Sequence, residues 1–321
     1  MASNLDTLVT VFGGSGFLGR SVVRALCKRD YRVRVAVRRP ELAGFLQPLG
    51  RVGQVHAVQA NLRYPASVEA ALRDSRTVIN LVGVLAESGA QTFDAVQAKG
   101  AAAVANAAAA AGAGLVHVSA IGADEQSASA YARAKAAGEK AVRAAVPSAT
   151  IVRPSVIFGP DDQFTNRFAA LARMLPVLPL VGGETRMQPV YVNDVATAIA
   201  DAVDGKAKAG ATYELGGPEV LTMRQIWELI LAITDRERML VPLPFALARL
   251  KAAFLQFAPG PLKLTPDQVT LLQRDNVVSD EAKAAGLTLE GLGITPDSLE
   301  AIAPQYLWRF RAAGQFQRKN A

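Results

Sequence analysis

Tyr131 and Lys135, in the run Tyr-Ala-Arg-Ala-Lys, are four positions apart and are the pair in this sequence best placed to do chemistry. On a helix that spacing sets phenol and ammonium on one face. A cation beside a phenol stabilises the phenolate and lowers its pKa, so the phenol can take up or release a proton. Lys135 can also donate to a ribose hydroxyl. Ser119, twelve positions before Tyr131 and at the end of a predicted strand, could polarise a carbonyl. In isolation such a pair is more often two surface residues, so its meaning rests on the elements around it.

The first of these elements is the loop Gly13-Gly14-Ser15-Gly16-Phe17-Leu18-Gly19. It follows the apolar run 8–12 and precedes the helical pattern Ser21-Val22-Val23-Arg24-Ala25-Leu26. Strand, glycine turn and helix in that order form a dinucleotide-binding fingerprint. The glycines allow the turn and a close backbone approach to pyrophosphate, and the helix N-terminus offers unpaired N–H groups to the phosphates.

The second predicted strand ends Val37-Arg38-Arg39-Pro40, with no acid before Glu41. Readers of NAD place an Asp or Glu there for the adenine ribose. A guanidinium instead matches a 2′-phosphate, so Arg38, and Arg39 beside it, favour NADP(H). Arg39 also reads as a solvated surface residue.

Strand-like segments at 33–37, 55–59, 78–82, 115–118 and 150–152 alternate with helical stretches near 65–73, 92–111 and 128–145. That alternation predicts βαβ units and a parallel sheet covered on both faces. After residue 160 the prolines at 176, 179 and 189 and Gly182-Gly183 break the rhythm, and 212–215 reads as a strand returning to the sheet. The expected architecture is a doubly wound parallel-sheet α/β Rossmann domain over 1–217, with a smaller, mainly helical C-terminal lobe over 218–321. Residues 181–188 are candidates to join that lobe.

These motifs resemble the short-chain dehydrogenase/reductase superfamily in its extended and atypical branches. The resemblance implies that the glycine loop holds cofactor and that Tyr131 and Lys135 are the catalytic pair. It matches Asn61-Leu62 to an adenine-contacting step, with Asn where Asp is usual. Val82 and Gly83 fall in the segment passing beside the cofactor, and Pro154, Ser155 and Val156 in the segment closing over nicotinamide. The runs 131–143, 151–164 and 188–196 are similar to one atypical branch, which holds the nucleotide-binding accessory subunit of respiratory NADH:ubiquinone oxidoreductase (complex I) and its bacterial homologues. Membership would imply a tightly held structural NADPH, complex I subunits as partners, and a vestigial Ser119–Tyr131–Lys135 set. It would also imply a peripheral location on the cytoplasmic side of the bacterial inner membrane. The alternative is a free-standing NADP(H)-dependent reductase or a sugar-nucleotide epimerase/dehydratase.

The bulk numbers fit either reading. The chain has 321 residues, half of them apolar, and a formal net charge of +7. Its cations are dispersed and form no recognisable nucleic-acid module, which leaves an acidic protein face or an anionic membrane surface as the partner. No signal peptide or membrane-spanning run is expected, and the one cysteine, Cys27, reads as a small buried residue. His56 and His117 lack a second ligand at useful spacing, so no metal site is expected. Asp161 and Asp162 read as a turn or helix start.

Two C-terminal segments suggest surfaces. In 243–257, Leu247, Leu250, Phe254 and Phe257 share one helical stripe, for which core packing is favoured over a membrane interface. Tyr306 to Arg311 mixes aromatics with arginines, as interfaces do, while Phe316, Arg318 and Lys319 read as a basic terminus.

Overall fold

A computed structural model describes residues 4–312; Phe316, Arg318 and Lys319 lie outside them. The chain forms two compact units. The first comprises residues up to Pro154, Val192–Leu215 and Ser279–Thr295; the second comprises Ser155–Tyr191, Gly216–Val278 and the residues from Pro296 on.

The first unit is built on six strands of alternating βα rhythm: β1 Leu8–Phe12, β2 Arg32–Val37, β3 Val55–Gln59, β4 Thr77–Asn80, β5 Gly114–Val118 and β6 Thr150–Pro154. The strand Thr212–Leu215 joins beyond β6 and completes an all-parallel sheet ordered β3-β2-β1-β4-β5-β6 and then 212–215. The order reverses between β1 and β4, so a crevice opens at the carboxyl ends of those strands.

Helices α1 Phe17–Lys28, α2 Pro65–Leu72, α3 Lys99–Ala110 and α4 Ala130–Ala145 cross between strands. Over α2, α3 and α4 the core contains Phe12, Val78, Val104, Leu115, Val142 and Ile151, all buried. The alanines of α3 carry too little side chain to hold the helix away from the sheet. On the other side, Val22, Val23 and Leu26 of α1 are fully buried. Helix Val192–Val203 is tied to α1 by Arg29, which pairs with Asp201 at 2.9 Å and with Asp204 at 2.6 Å.

The helical stretch expected over 92–111 is not uniform. It opens with a π-helical turn, Asp94–Ala98, and only then becomes α3. Such turns insert one residue and re-aim side chains, often at functional sites.

The second unit packs Phe158, Leu178, Leu180, Ile226, Trp227, Ile230 and Leu307 around the helices Thr165–Met174 and Met223–Thr234. Phe168 stacks on Trp227 at 4.2 Å. Thr222 and Gln225 form a reciprocal cap that starts the second helix. Asp162 accepts from the backbone N–H groups of Gly159 and Phe164 at 2.9 Å, the helix-start role read from the sequence.

Two expectations fail in this unit, for different reasons. Tyr306 and Leu307 are buried in the unit's own core, and the Tyr306 and Thr165 hydroxyls are 2.9 Å apart, so this part of the tail is interior instead of interface. The stripe on helix Phe245–Leu255 does the reverse. Leu250, Phe254 and Phe257 are 61%, 74% and 83% exposed, while Ala248 and Ala252 are fully buried. The helix packs by its small residues and turns the large ones outward.

Candidate cofactor groove and buried polar site

A groove of about 340 Å³ opens where β1, β2, β3 and β4 end. Of the residues singled out in the sequence, it gathers Gly13, Ser15, Gly16, Phe17, Leu18, Gly19, Arg38, Asn61, Leu62, Val82 and Gly83 along its wall. Gly14 sits beneath the turn, where a Cβ would meet Val35 at 2.7 Å. Arg39 is exposed and begins the 3-10 turn Pro40–Leu42.

The turn needs its glycines. Gly13 has φ +79°, and a Cβ on Gly19 would lie 2.6 Å from backbone atoms of Gly14 and closer still to Gly13 O. Gly16 caps α1 without a side-chain hydrogen bond, and no acid lies in the first turn, so the helix start presents bare N–H groups. The cradle therefore fits a dinucleotide pyrophosphate, with Phe17 and Leu18 N–H groups available to it.

The far lip carries two guanidinium residues. Arg38 lines the groove as the sequence suggests, and Arg63 lines it as well. Arg63 was missed because it lies in the loop after β3. Its signal was its place directly after Asn61-Leu62, where Arg63 N–H donates to Asn61 Oδ1 at 3.2 Å.

At the other end the groove meets α4. Lys135 is 5% exposed, and a Cβ on Gly83 would lie 3.4 Å from its Nζ. Lys135 Nζ donates to Val118 O at 3.1 Å and lies 5.9 Å from the Tyr131 ring centroid. The Tyr131 ring meets Phe93 edge-on at 5.7 Å. Ser129 caps α4 by accepting from Ala132 N–H, which sets the phase that brings Tyr131 and Lys135 to one side.

Burial depresses the Lys135 ammonium to about 8, with Glu139 opposing the shift. Ser119, held by its N–H to Val152 O at 2.7 Å, is buried and its Oγ has no partner among the described residues. Tyr131, Lys135 and Ser119 thus share the end of β5 and its covering helix. Behind them Glu139 takes Arg153 in a two-pronged pair at 2.8 and 2.7 Å, and Glu214 approaches the same guanidinium at 3.5 Å.

Pro154 ends β6 in the first unit. Ser155 and Val156 belong to the second, where the Ser155 hydroxyl donates to Asn276 O at 2.9 Å and Val190 N–H donates to Val156 O at 3.0 Å.

The NAD dependent epimerase/dehydratase family matches residues 9–216, the span that contains the groove and the Tyr131–Lys135 helix. NADH dehydrogenase (ubiquinone) 1 alpha subcomplex subunit 9, mitochondrial, of Arabidopsis thaliana is 35% identical over 321 residues, covering 96% of this chain and 79% of its own. The chain belongs to that branch of the extended short-chain dehydrogenase/reductase family. Among this family's other members, ceramide reductase of Caulobacter vibrioides is 39% identical over 199 residues, 62% of each chain. In fold, the NADPH-dependent quinone oxidoreductase QOR2 of Escherichia coli, solved with NADPH, superposes with TM-score 0.72 at 20% identity, over 94% of this chain and 99% of its own. The family binds NAD(P), and its complex I members are subunits of that enzyme.

Among the described residues no helix is long and apolar enough to cross a membrane.

Proposed function

We propose that this chain is an accessory subunit of respiratory NADH:ubiquinone oxidoreductase that holds NADPH as a structural group. The observation that carries the reading is the likeness to subunit 9 across 96% of the chain. The groove supports the nucleotide: Arg38 and Arg63 stand at the end where an acid would grip an NAD ribose, and guanidinium forks match a 2′-phosphate. The glycine cradle and open helix start receive the pyrophosphate, and Lys135 faces the nicotinamide ribose.

A nucleotide held far above its dissociation constant stabilises the fold by several kcal/mol, about 4 at a thousandfold excess. In this role the nucleotide keeps the subunit's docking surfaces in shape and is not turned over.

A peripheral position, on the cytoplasmic side of a bacterial inner membrane, is part of this reading, and the second unit supports contact with a membrane surface. Residues 238–266 contain four cations and no acid, and they include the helix whose large apolar residues face outward. An apolar stripe flanked by cations suits an anionic lipid surface.

The reading is tested by purifying the respiratory complex from membranes and asking whether this chain comes with it. Mass spectrometry of the released nucleotide should find NADPH, and Arg38→Ala should lower the preference for NADPH over NADH by roughly tenfold or more. A chain that stays wholly soluble and carries NAD(H) would sink the proposal.

The buried, unpartnered Ser119 Oγ, one residue past the Val118 carbonyl that holds Lys135, favours a second reading, a reductase of a lipid-borne carbonyl. The ceramide reductase likeness supports it. A bound NADPH would supply the reducing equivalent. Ser119 would donate to the carbonyl oxygen, Tyr131 would deliver the proton that makes it an alcohol, and Lys135 would keep the phenol acidic. Conversion of a long-chain keto-lipid by the purified protein, abolished in Tyr131→Phe, would decide for this reading; unchanged assembly and respiration in the same variant would decide for the first.

A further inference from the structure

Five arginines of the second unit gather around one aromatic ring. Arg173, in the last turn of helix Thr165–Met174, and Arg309 lie 5.6 and 5.3 Å from the Phe310 ring centroid. Arg236, just past helix Met223–Thr234, donates from Nε to Phe310 O at 2.9 Å. Arg311 donates from Nε to Ile233 O and Arg238 from Nε to Ala172 O, each at 2.9 Å. The two helix ends therefore meet at Phe310, and their last carbonyls draw cations in.

Capping explains why arginines stand here but not why there are so many. A helix C-terminus carries roughly half a negative charge, so two ends offset about one of the five positive charges. No carboxylate among the described residues pairs with any of the five. Glu237, between Arg236 and Arg238 in sequence, is exposed. Burial lowers the pKa of Arg236, and the charges of Arg238 and Arg173 lower it further. Among the described residues Arg236 and Arg311 bond only through Nε, which leaves their Nη N–H groups open, and Arg173 makes no hydrogen bond. A guanidinium held by one edge is a fork already aimed at a carboxylate.

An apolar strip borders these cations. The strands Val177–Leu180 and Met239–Pro242 pair in parallel, with Met239 opposite Val177 and Val241 opposite Pro179. Alternation puts those four side chains on one face. All four are exposed, whereas Leu178 and Leu180 are buried beneath them. Met174 is exposed as well, and Arg173–Met174 and Arg238–Met239 are chain neighbours. The combination is that of a protein interface, which favours Met, Arg and aromatics over Lys.

We infer that this arginine-rimmed strip docks an acidic protein face of the respiratory complex, whose carboxylates take the guanidinium forks and flank an apolar side chain seated on Met174, Val177 and Met239. The inference rests on the accessory-subunit reading and adds to it the docking surface and the partner's chemistry.

The chain's five methionines make a direct test. In full-length protein labelled with methyl-carbon-13 methionine, Met174 and Met239 report on the face, and the buried Met187 and Met223 serve as controls. The probe is a synthetic peptide in which glutamates flank one leucine. It should shift the Met174 and Met239 signals and not the controls, with an affinity that falls as salt rises. Arg173→Glu should weaken the peptide by roughly tenfold or more, and Arg173→Lys, which keeps the charge without the fork, by less. Arg173→Glu with Met239→Asp should lose copurification with the respiratory complex while its unfolding midpoint stays that of the wild type.

No shift with the peptide, a shift produced only by phosphatidylglycerol vesicles, or full retention of the double variant in the complex would each overturn the inference. Should the wild type itself fail to copurify, the proposed function falls, and the peptide titration still decides whether this face takes an acidic protein segment.

Discussion

The glycine loop 13–19 and the helix Phe245–Leu255 are built on small residues used to opposite ends. In the loop, small residues let two stretches of backbone touch and leave a concave wall for something polar. A Cβ at Gly19 has nowhere to go. In the helix, Ala248 and Ala252 go inward and the bulky Leu250 and Phe254 go outward. The first region is thus determined by contacts within its own unit. The second has an apolar face that its own unit does not use. Where internal packing dictates a residue, the reason for it can be found in this chain; on the outward face of this helix the chain's own packing supplies none.

Four measurements would break or sharpen this contrast. The largest effect should come from the ion pair that joins α4 to β6. Glu139→Ala leaves Arg153 with only the more distant Glu214 and should destabilise the protein by about 3 kcal/mol or more, read by chemical denaturation. Next, Gly19→Ala should cost about 1–3 kcal/mol through overpacking. Its NADPH affinity, read by calorimetry, should fall by at least roughly tenfold as the loop shifts. An unaltered affinity would mean that the loop is not the nucleotide's cradle.

The third effect is a pH dependence. Below about 6.5 the unfolded chain protonates His117, whereas in the fold burial keeps it neutral down to about 3. The unfolded state then binds the extra proton, so this residue's contribution falls as pH drops through that window and is constant above it. The slope should approach about 1.4 kcal/mol per pH unit. Denaturation of the wild type and of His117→Gln from pH 7 to pH 4 isolates it; parallel curves would mean that the imidazole is not buried neutral.

The smallest effect on stability belongs to the exposed stripe. Phe254→Ser with Phe257→Ser should change stability by within about 0.5 kcal/mol. The same double variant should lose sedimentation with membranes. A large loss of stability would make the stripe part of a core, and the contrast with the loop would vanish.

The sheet was legible because strand-like and helix-like patterns alternate along the first 154 residues, with a change of period from two to 3.6. The glycine loop and Arg38 were legible because their roles depend on a few neighbours in the chain. Arg63 was not, because its place at the lip is a property of how β3 ends beside β2. Asn80 and His117 each look ordinary alone, and only strand register brings them together. The π turn was hidden because apolar spacing over 92–111 accommodates one extra residue without a visible break. On helix Phe245–Leu255 the stripe was visible, but hydrophobicity does not say which face of an alanine-rich helix is inside.

The π turn Asp94–Ala98 also makes the spacing of this region intolerant to length. Each helical residue turns the chain by about 100°. Deleting one residue from the turn would let the helix run on at ordinary pitch and swing everything on one side of the cut by roughly that angle. Gln97 would leave Val84 O, and Phe93 would leave the Tyr131 ring it meets edge-on. A one-residue deletion here, chemically milder than many substitutions, would therefore part Phe93 from Tyr131 and Gln97 from Val84 in a single step. Side-chain replacements would have to do it one by one.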